Sequence, residues 1–288
     1  MRYAVCNELF GRRSLAESAA IARQAGYGGL EIAPYTVFGD FSSISIRAGI
    51  AAIRSALKAE GLAFAAFHWL LRGPEGLHAT SPDLTTRRRT WDHLARLVEA
   101  AAELGGGPLV LGSPKQRSTT GGASRELARR NLVEGLSRLA PHCAAAGSPI
   151  LIEALASEQS DIVNTLAEAR AIVEEIASPG VGTMFDFHNT GDEREPWEAL
   201  IRGLGPHVGH IHANEPDGSA PRRDGADLGP AFAAMRDIDY RGWISVEIFT
   251  EPEDPASTLR ESMERFRELD RASASGGEAL SRVGRRLS

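Results

Sequence analysis

The chain is predicted to fold as a single-domain α/β protein, a (β/α)8 or TIM barrel. Three observations lead there. Eight apolar runs of strand length alternate with eight longer stretches of helical period. The turns from helix to strand are short and marked by glycine, which favours parallel strands joined by right-handed crossovers. The chain has 288 residues, close to the roughly 250 that eight strand-helix units require. An open doubly wound sheet would call for a glycine-rich phosphate fingerprint after an early strand, and the sequence has none.

The strands fall at residues 3–6, 29–33, 63–68, 108–111, 149–153, 181–186, 208–212 and 243–247. Each is a short apolar run fit to be buried on both faces. The intervening helices cover 15–25, 46–59, 84–104, 125–146, 165–176, 197–204, 230–237 and 255–269. Gly26, Gly61, Gly105 and Gly147 stand where four of these helices must stop, because glycine takes the left-handed C-cap conformation cheaply. The loops that follow strands are longer than those that precede them, notably 34–45, 69–85 and 112–124. In a barrel such loops line the C-terminal mouth, where active sites are built. The barrel is expected over residues 1–270. The segment 272–277 should break the last helix, leaving 271–288 as a flexible tail.

Composition narrows the function. The chain is 42% hydrophobic and 24% charged, ordinary values for a globular protein. A net charge of −6 argues against a nucleic-acid surface. Two cysteines, Cys6 and Cys143, make no disulfide framework. No run approaches the ~20 apolar residues of a membrane span, and the first residues lack a signal-peptide core. A cytoplasmic protein without membrane or nucleic-acid partners is expected.

The chemistry lies in the last four strands. They end in Glu153, Asp186, His212 and Glu247. A buried strand that ends in an ionisable residue sets that residue at a rim. Four rims in succession can converge on one divalent cation. Three carboxylates and one imidazole form a hard, oxygen-rich set that suits Mn²⁺ first, with Mg²⁺ and Co²⁺ as alternatives. Taken singly, an acid at a strand end is more often a helix cap or a rim ion pair. Four in this order make that reading improbable.

Further candidates are weaker. His68 and Trp69 end the third strand and are candidates for binding a ligand hydroxyl and for an apolar wall against the ligand. Lys115 and Arg117, in the loop after the fourth strand, are candidates for an anionic group, although a solvated loop explains them as well. Glu31 ends the second strand and Asn7-Glu8 follow the first; each is as fit to tie loops as to touch a ligand. His210 shares the face of His212 one layer deeper and is expected to make a core hydrogen bond. The run Arg87-Arg88-Arg89 reads as a solvated helix face.

The stretches Leu151-Ile152-Glu153-Ala154-Leu155, Met184-Phe185-Asp186-Phe187-His188, His210-Ile211-His212-Ala213-Asn214-Glu215 and Trp243-Ile244-Ser245-Val246-Glu247 resemble the xylose-isomerase-like barrel superfamily. Within it the chain is most similar to the sugar phosphate isomerase/epimerase proteins and the ketose 3-epimerases. The resemblance runs from Cys6 to about Leu269. It implies that Glu153, Asp186, His212 and Glu247 bind the cation, and that Glu153 and Glu247 also move the proton. The implied reaction is isomerisation or epimerisation of a small sugar through a cis-enediolate that the cation stabilises. Homo-oligomers are common in such barrels.

The chain also departs from the pattern. Ala154 replaces the usual proline. Gln159 stands at the offset of the epimerases' second glutamate, with Glu158 beside it as a substrate candidate. Asn189 stands at the offset of their histidine, with His188 one residue earlier as a second candidate. Gly218 stands where they have an arginine, and Arg222 and Arg223 come later. These changes bear on the substrate, not on the cation set. The same four strands are also found in metal-dependent lyases and dehydratases, such as inosose dehydratase-like and C-glycoside-cleaving proteins. Two remoter readings are a DNA-repair endonuclease, disfavoured by the acidic charge, and a sugar-binding barrel without catalysis.

Overall fold

A computed structural model describes residues 1–284. Eight strands close in sequence order into one parallel barrel, β1 (Arg2–Cys6), β2 (Gly29–Ile32), β3 (Ala63–Phe67), β4 (Leu109–Leu111), β5 (Ile150–Ile152), β6 (Val181–Asp186), β7 (Val208–Ala213) and β8 (Trp243–Val246). β8 closes on β1 with Arg2 opposite Trp243 and Val5 opposite Val246. Eight α-helices surround it: α1 (Leu15–Ala25), α2 (Ser43–Glu60), α3 (Leu84–Glu103), α4 (Arg125–Ala146), α5 (Leu166–Ile176), α6 (Trp197–Leu204), α7 (Gly229–Asp237) and α8 (Pro255–Gly284). The expected fold class and every expected strand and helix are therefore present, with ends shifted by a few residues.

Local chemistry explains the boundaries. Ser14 and Glu17 form a capping box at the start of α1. Ser42, Asp83, Ser124 and Thr165 accept backbone N–H groups at the starts of α2 to α5. The cap at Ser42 begins α2 three residues earlier than apolar periodicity suggests. Gly26, Gly61 and Gly147 take the left-handed conformation at the ends of α1, α2 and α4. Gly105 does so one residue beyond the C-cap of α3, which is Leu104.

One expectation about α8 needs correcting. The helix continues to Gly284, through the 272–277 segment expected to end it. The last four residues of the expected tail lie outside the described residues. No described helix is long and apolar enough to cross a membrane.

The main core lies between the barrel and its helices. A second, smaller core fills the barrel interior, where Val110, Leu151 and Met184 pack together. This inner layer positions the site. Side chains alternate faces along a strand, so the residue two places on points inward again, one layer nearer the mouth. Leu151 leads to Glu153 and Met184 to Asp186 by that step. The same step leads from His210 to His212 and from Ser245 to Glu247.

Candidate metal centre

Glu153, Asp186, His212 and Glu247 each offer a donor atom, and these atoms lie within 4.8 Å of one another. All four side chains are buried. Glu153 and Glu247 stand one residue past β5 and β8, yet their N–H groups still donate to Leu111 and Ala213 across the ladder. That contact holds their backbones in the barrel wall. The convergence expected from the strand ends is present.

The electrostatics bear on what the cluster can hold. Burial raises the Glu153 carboxyl well above the usual carboxylate range, and the Asp186 and Glu247 charges push it further. Burial opposes a charge on His212, but Glu247 and Glu31 outweigh it and hold the imidazole well above the ordinary histidine value. Burial likewise opposes ionised Asp186, and the His212 imidazole beside it overcomes that and holds the carboxyl below its ordinary value. Three carboxylates thus compete for one positive group. A divalent cation is a better answer to that charge than one proton.

The donor geometry passes the same test. His212 Nδ1 is buried without a hydrogen-bond partner, 2.9 Å from Glu247 Oε2 and 3.9 Å from Asp186 Oδ2. An imidazole nitrogen aimed at carboxylate oxygens, and bonded to none of them, suits a shared cation between them.

Residues around the cluster hold it in place. Asn189 donates one amide hydrogen to Glu153 Oε1 at 3.0 Å and one to Asp186 Oδ2 at 2.9 Å. Its Oδ1 accepts from Gln159 Nε2 at 2.8 Å. Glu31 is fully buried on β2 and accepts from His210 Nε2 at 2.6 Å and His212 Nε2 at 2.9 Å. His68 Nδ1 lies 3.4 Å from the same carboxylate. Burial would raise Glu31, but His210 and His212 hold it well below the usual range. The core hydrogen bond expected of His210 is therefore found. Cys6, Glu31 and His212 form a second close donor group, but Glu31 is already committed to the histidines.

Sequence reasoning left Glu31, Glu8 and Asn189 without roles at the cluster. The available signal for Glu31 was the one used for the four donors, a lone ionisable residue in an apolar strand. Glu8 hydrogen-bonds His68 Nε2 and takes the Tyr35 hydroxyl at 3.3 Å. Burial disfavours a charged His68, and Glu8 more than compensates, so its pKa is raised.

The substrate candidates separate. His68 and Trp69 line the pocket over the cluster, with Gln159, Asn189 and Phe249. His188, Glu158, Lys115 and Arg117 are not among its lining residues. His188 turns its Nδ1 to the Pro216 carbonyl at 2.9 Å and packs against Phe249. Glu158 and Lys115 are exposed. Arg117, a candidate for an anionic group with a solvated loop as the alternative, is not solvated: it is fully buried, donating from an Nη to the Glu153 carbonyl at 2.7 Å. The loop folds inward because a short 3-10 turn (Pro114–Gln116) redirects the chain just after β4. Among the described residues, no lysine or arginine lines the pocket.

A closed parallel barrel with a buried cluster of acids and imidazole at its mouth, of the kind that holds a metal ion, defines a class of α/β barrel proteins. Residues 19–269 match the family model for the xylose isomerase-like TIM barrel, and the chain belongs to that family. Its homologues include sugar epimerases at modest identity. An L-ribulose 3-epimerase from Methylomonas sp. strain DH-1 is 32% identical over 130 residues, 45% of each chain. A 3-dehydro-D-guloside 4-epimerase from Escherichia coli K12 is 23% identical over 271 residues, 91% of this chain and 98% of the relative. The crystal structure of apo 3-keto-D-glucoside 4-epimerase from E. coli superposes with a TM-score of 0.80 at 22% identity, covering 93% of this chain and 99% of that one. The chain spans about half the length of the curated relatives with the most significant matches.

Proposed function

We propose that the protein is a divalent-cation-dependent isomerase or epimerase of a small, unphosphorylated sugar or sugar derivative. The observation that carries this is the four-donor cluster, with donor atoms within 4.8 Å, at the mouth of the barrel. Glu153, Asp186, His212 and Glu247 would hold the cation. Mn²⁺ suits the hard donor set best, and Mg²⁺ or Co²⁺ would also fit it. When bound, the cation would polarise the substrate carbonyl and stabilise the enediolate that forms when the neighbouring carbon loses its proton.

The chain's own residues supply the rest. Glu153 and Glu247 come from β5 and β8, which are not neighbours, and so approach the pocket from different sides. One carboxylate removes the proton from carbon and the other returns a proton to the intermediate. Asn189 holds Glu153 and Asp186 at fixed separation through its two amide hydrogens. Trp69 and Phe249 give the pocket apolar surface for the carbon face of a sugar. His68 and Gln159 give it polar groups for hydroxyls. Among the described residues the pocket has carboxylates and no lysine or arginine, so a phosphate would meet repulsion without a counter-charge.

The test is a panel of ketoses, keto-glycosides and inososes in D₂O with Mn²⁺. Solvent deuterium at one carbon, with the product mass otherwise unchanged, is the expected result. Loss of water from the product would instead assign a dehydratase. Absence of any exchange across the panel would overturn the reading.

A further inference from the structure

We infer that Glu31 is the positioning residue that presents His212 to the cation; this rests on the proposed metal-binding reading of the site. Glu31 lies on β2 and His212 on β7, strands that pair only with other neighbours in the barrel. Their contact therefore crosses the barrel interior, between residues 181 apart in sequence. Glu31 Oε1 is 2.9 Å from His212 Nε2, and its other oxygen is 2.6 Å from His210 Nε2.

A fully buried carboxylate needs compensation. Among the described residues, no lysine or arginine forms an ion pair with Glu31; its ion-pair partners are His68, His210 and His212. An ionised carboxylate only accepts hydrogen bonds. The nitrogens that face it must therefore carry hydrogen. For His212 this places the N–H on Nε2. It leaves Nδ1 free to offer a lone pair on the side of Asp186 and Glu247, 3.9 Å and 2.9 Å away. The lack of any hydrogen-bond partner for Nδ1 agrees with that assignment. A flip of the ring would put the Cε1 carbon where Nε2 now faces Glu31 and lose that hydrogen bond. An oriented imidazole ligand is worth about 10–100-fold in metal affinity in comparable sites.

The test uses the full chain without substrate. Mn²⁺ affinity is measured by calorimetry for the wild type, Glu31→Gln and Asn189→Ala. Glutamine matches the shape of glutamate but cannot accept from two imidazoles with both of its terminal atoms. The expected result is Mn²⁺ binding about 10–100-fold weaker in Glu31→Gln, with Asn189→Ala as a reference for a supporting residue that holds the carboxylate donors and not His212. Nitrogen-15 spectra of the wild type with Mg²⁺ give a readout that does not depend on the stability of any variant. They should show His212 protonated at Nε2 and ligating through Nδ1. Ligation through Nε2, or unchanged Mn²⁺ affinity in a folded Glu31→Gln, would overturn the inference while leaving the metal reading intact. Failure of the wild type to bind Mn²⁺ would overturn that reading first, and this one with it.

Discussion

Gly112 stands so close to Glu153 that a β-carbon on it would lie 2.1 Å from Glu153 Oε2. Gly112 directly follows β4, and Glu153 directly follows the neighbouring β5. The carboxylate occupies the space that any larger residue would take. The floor of the site is therefore shaped by the missing side chain as much as by the donors.

Gly112→Ala should displace Glu153 and leave the barrel folded. The backbone of Gly112 is not in the left-handed region, so alanine carries no dihedral strain there. A shift near 1 Å in a catalytic carboxylate costs on the order of 100-fold in rate. The expected outcome is that loss in deuterium exchange with an unchanged circular dichroism spectrum. Full activity would show that the Glu153 position is not critical.

Glu153→Gln and Glu247→Gln should each abolish deuterium exchange into substrate. Each amide keeps the shape of the side chain but cannot take a proton from carbon at neutral pH. Exchange in D₂O followed by mass spectrometry reads this directly. Full exchange in either variant would remove that residue from the proton-transfer pair.

Cation binding should stabilise the fold. Three buried carboxylates repel one another, and burial together with the Asp186 and Glu247 charges raises the Glu153 pKa. A ligand at a hundred times its Kd stabilises by about 2.7 kcal/mol. For a chain of this size that corresponds to a rise of roughly 4–5 °C in melting temperature. Differential scanning calorimetry with Mn²⁺, then with excess chelator, should show the rise and its reversal. An unchanged melting temperature would count against a cation at the cluster.

How much of this was legible in sequence depends on the range of each contact. The strands announced themselves because runs such as Val181–Asp186 are apolar up to one ionisable end. The four donors were legible because the alternation along a strand is strict and each donor closes its run. The partners of those donors were not. Glu31 meets His212 across the inside of the barrel, a contact that depends on closure and not on any local pattern. Arg117 lies in a polar stretch that reads as solvated loop, and only the turn after β4 sends it inward beneath Glu153. His188 kept the right neighbourhood, but the 216–218 loop engages its ring through the Pro216 carbonyl.

Acid should destabilise the protein partly through His93. Burial pushes His93 down to about 4, against the ordinary 6.5. Its Nε2 donates to the Leu70 carbonyl at 3.0 Å, so the ring is neutral and anchored. Between those two values the unfolded chain binds a proton that the folded chain refuses. Stability therefore falls as pH drops from 6.5 toward 4, by about 3 kcal/mol for this one group. His93→Gln keeps a donor for Leu70 but does not titrate. The difference in unfolding free energy between the two proteins, taken at several pH values, isolates the effect. Parallel pH profiles would refute it.

Gln159→Glu should harm activity more than Gln159→Ala does, although glutamate is the residue that related epimerases carry at this offset. Two carboxylates can only accept, so Asn189 must turn its Nδ2 toward Glu153 and Asp186. That leaves Asn189 Oδ1 facing Gln159, which donates to it at 2.8 Å. A glutamate there would set a carboxylate against a carbonyl oxygen and add a further negative charge beside Glu153. Either the new side chain swings away or Asn189 turns, and turning would place its oxygen against the two carboxylates. Alanine only removes the donor and leaves the amide orientation unopposed. The expected gap is about tenfold in kcat/KM, or about 1.4 kcal/mol. Asn189→His combined with Gln159→Glu should recover part of that loss, because an imidazole can donate to the new carboxylate. Equal activities in the two single variants would show that the amide pair does not govern the site.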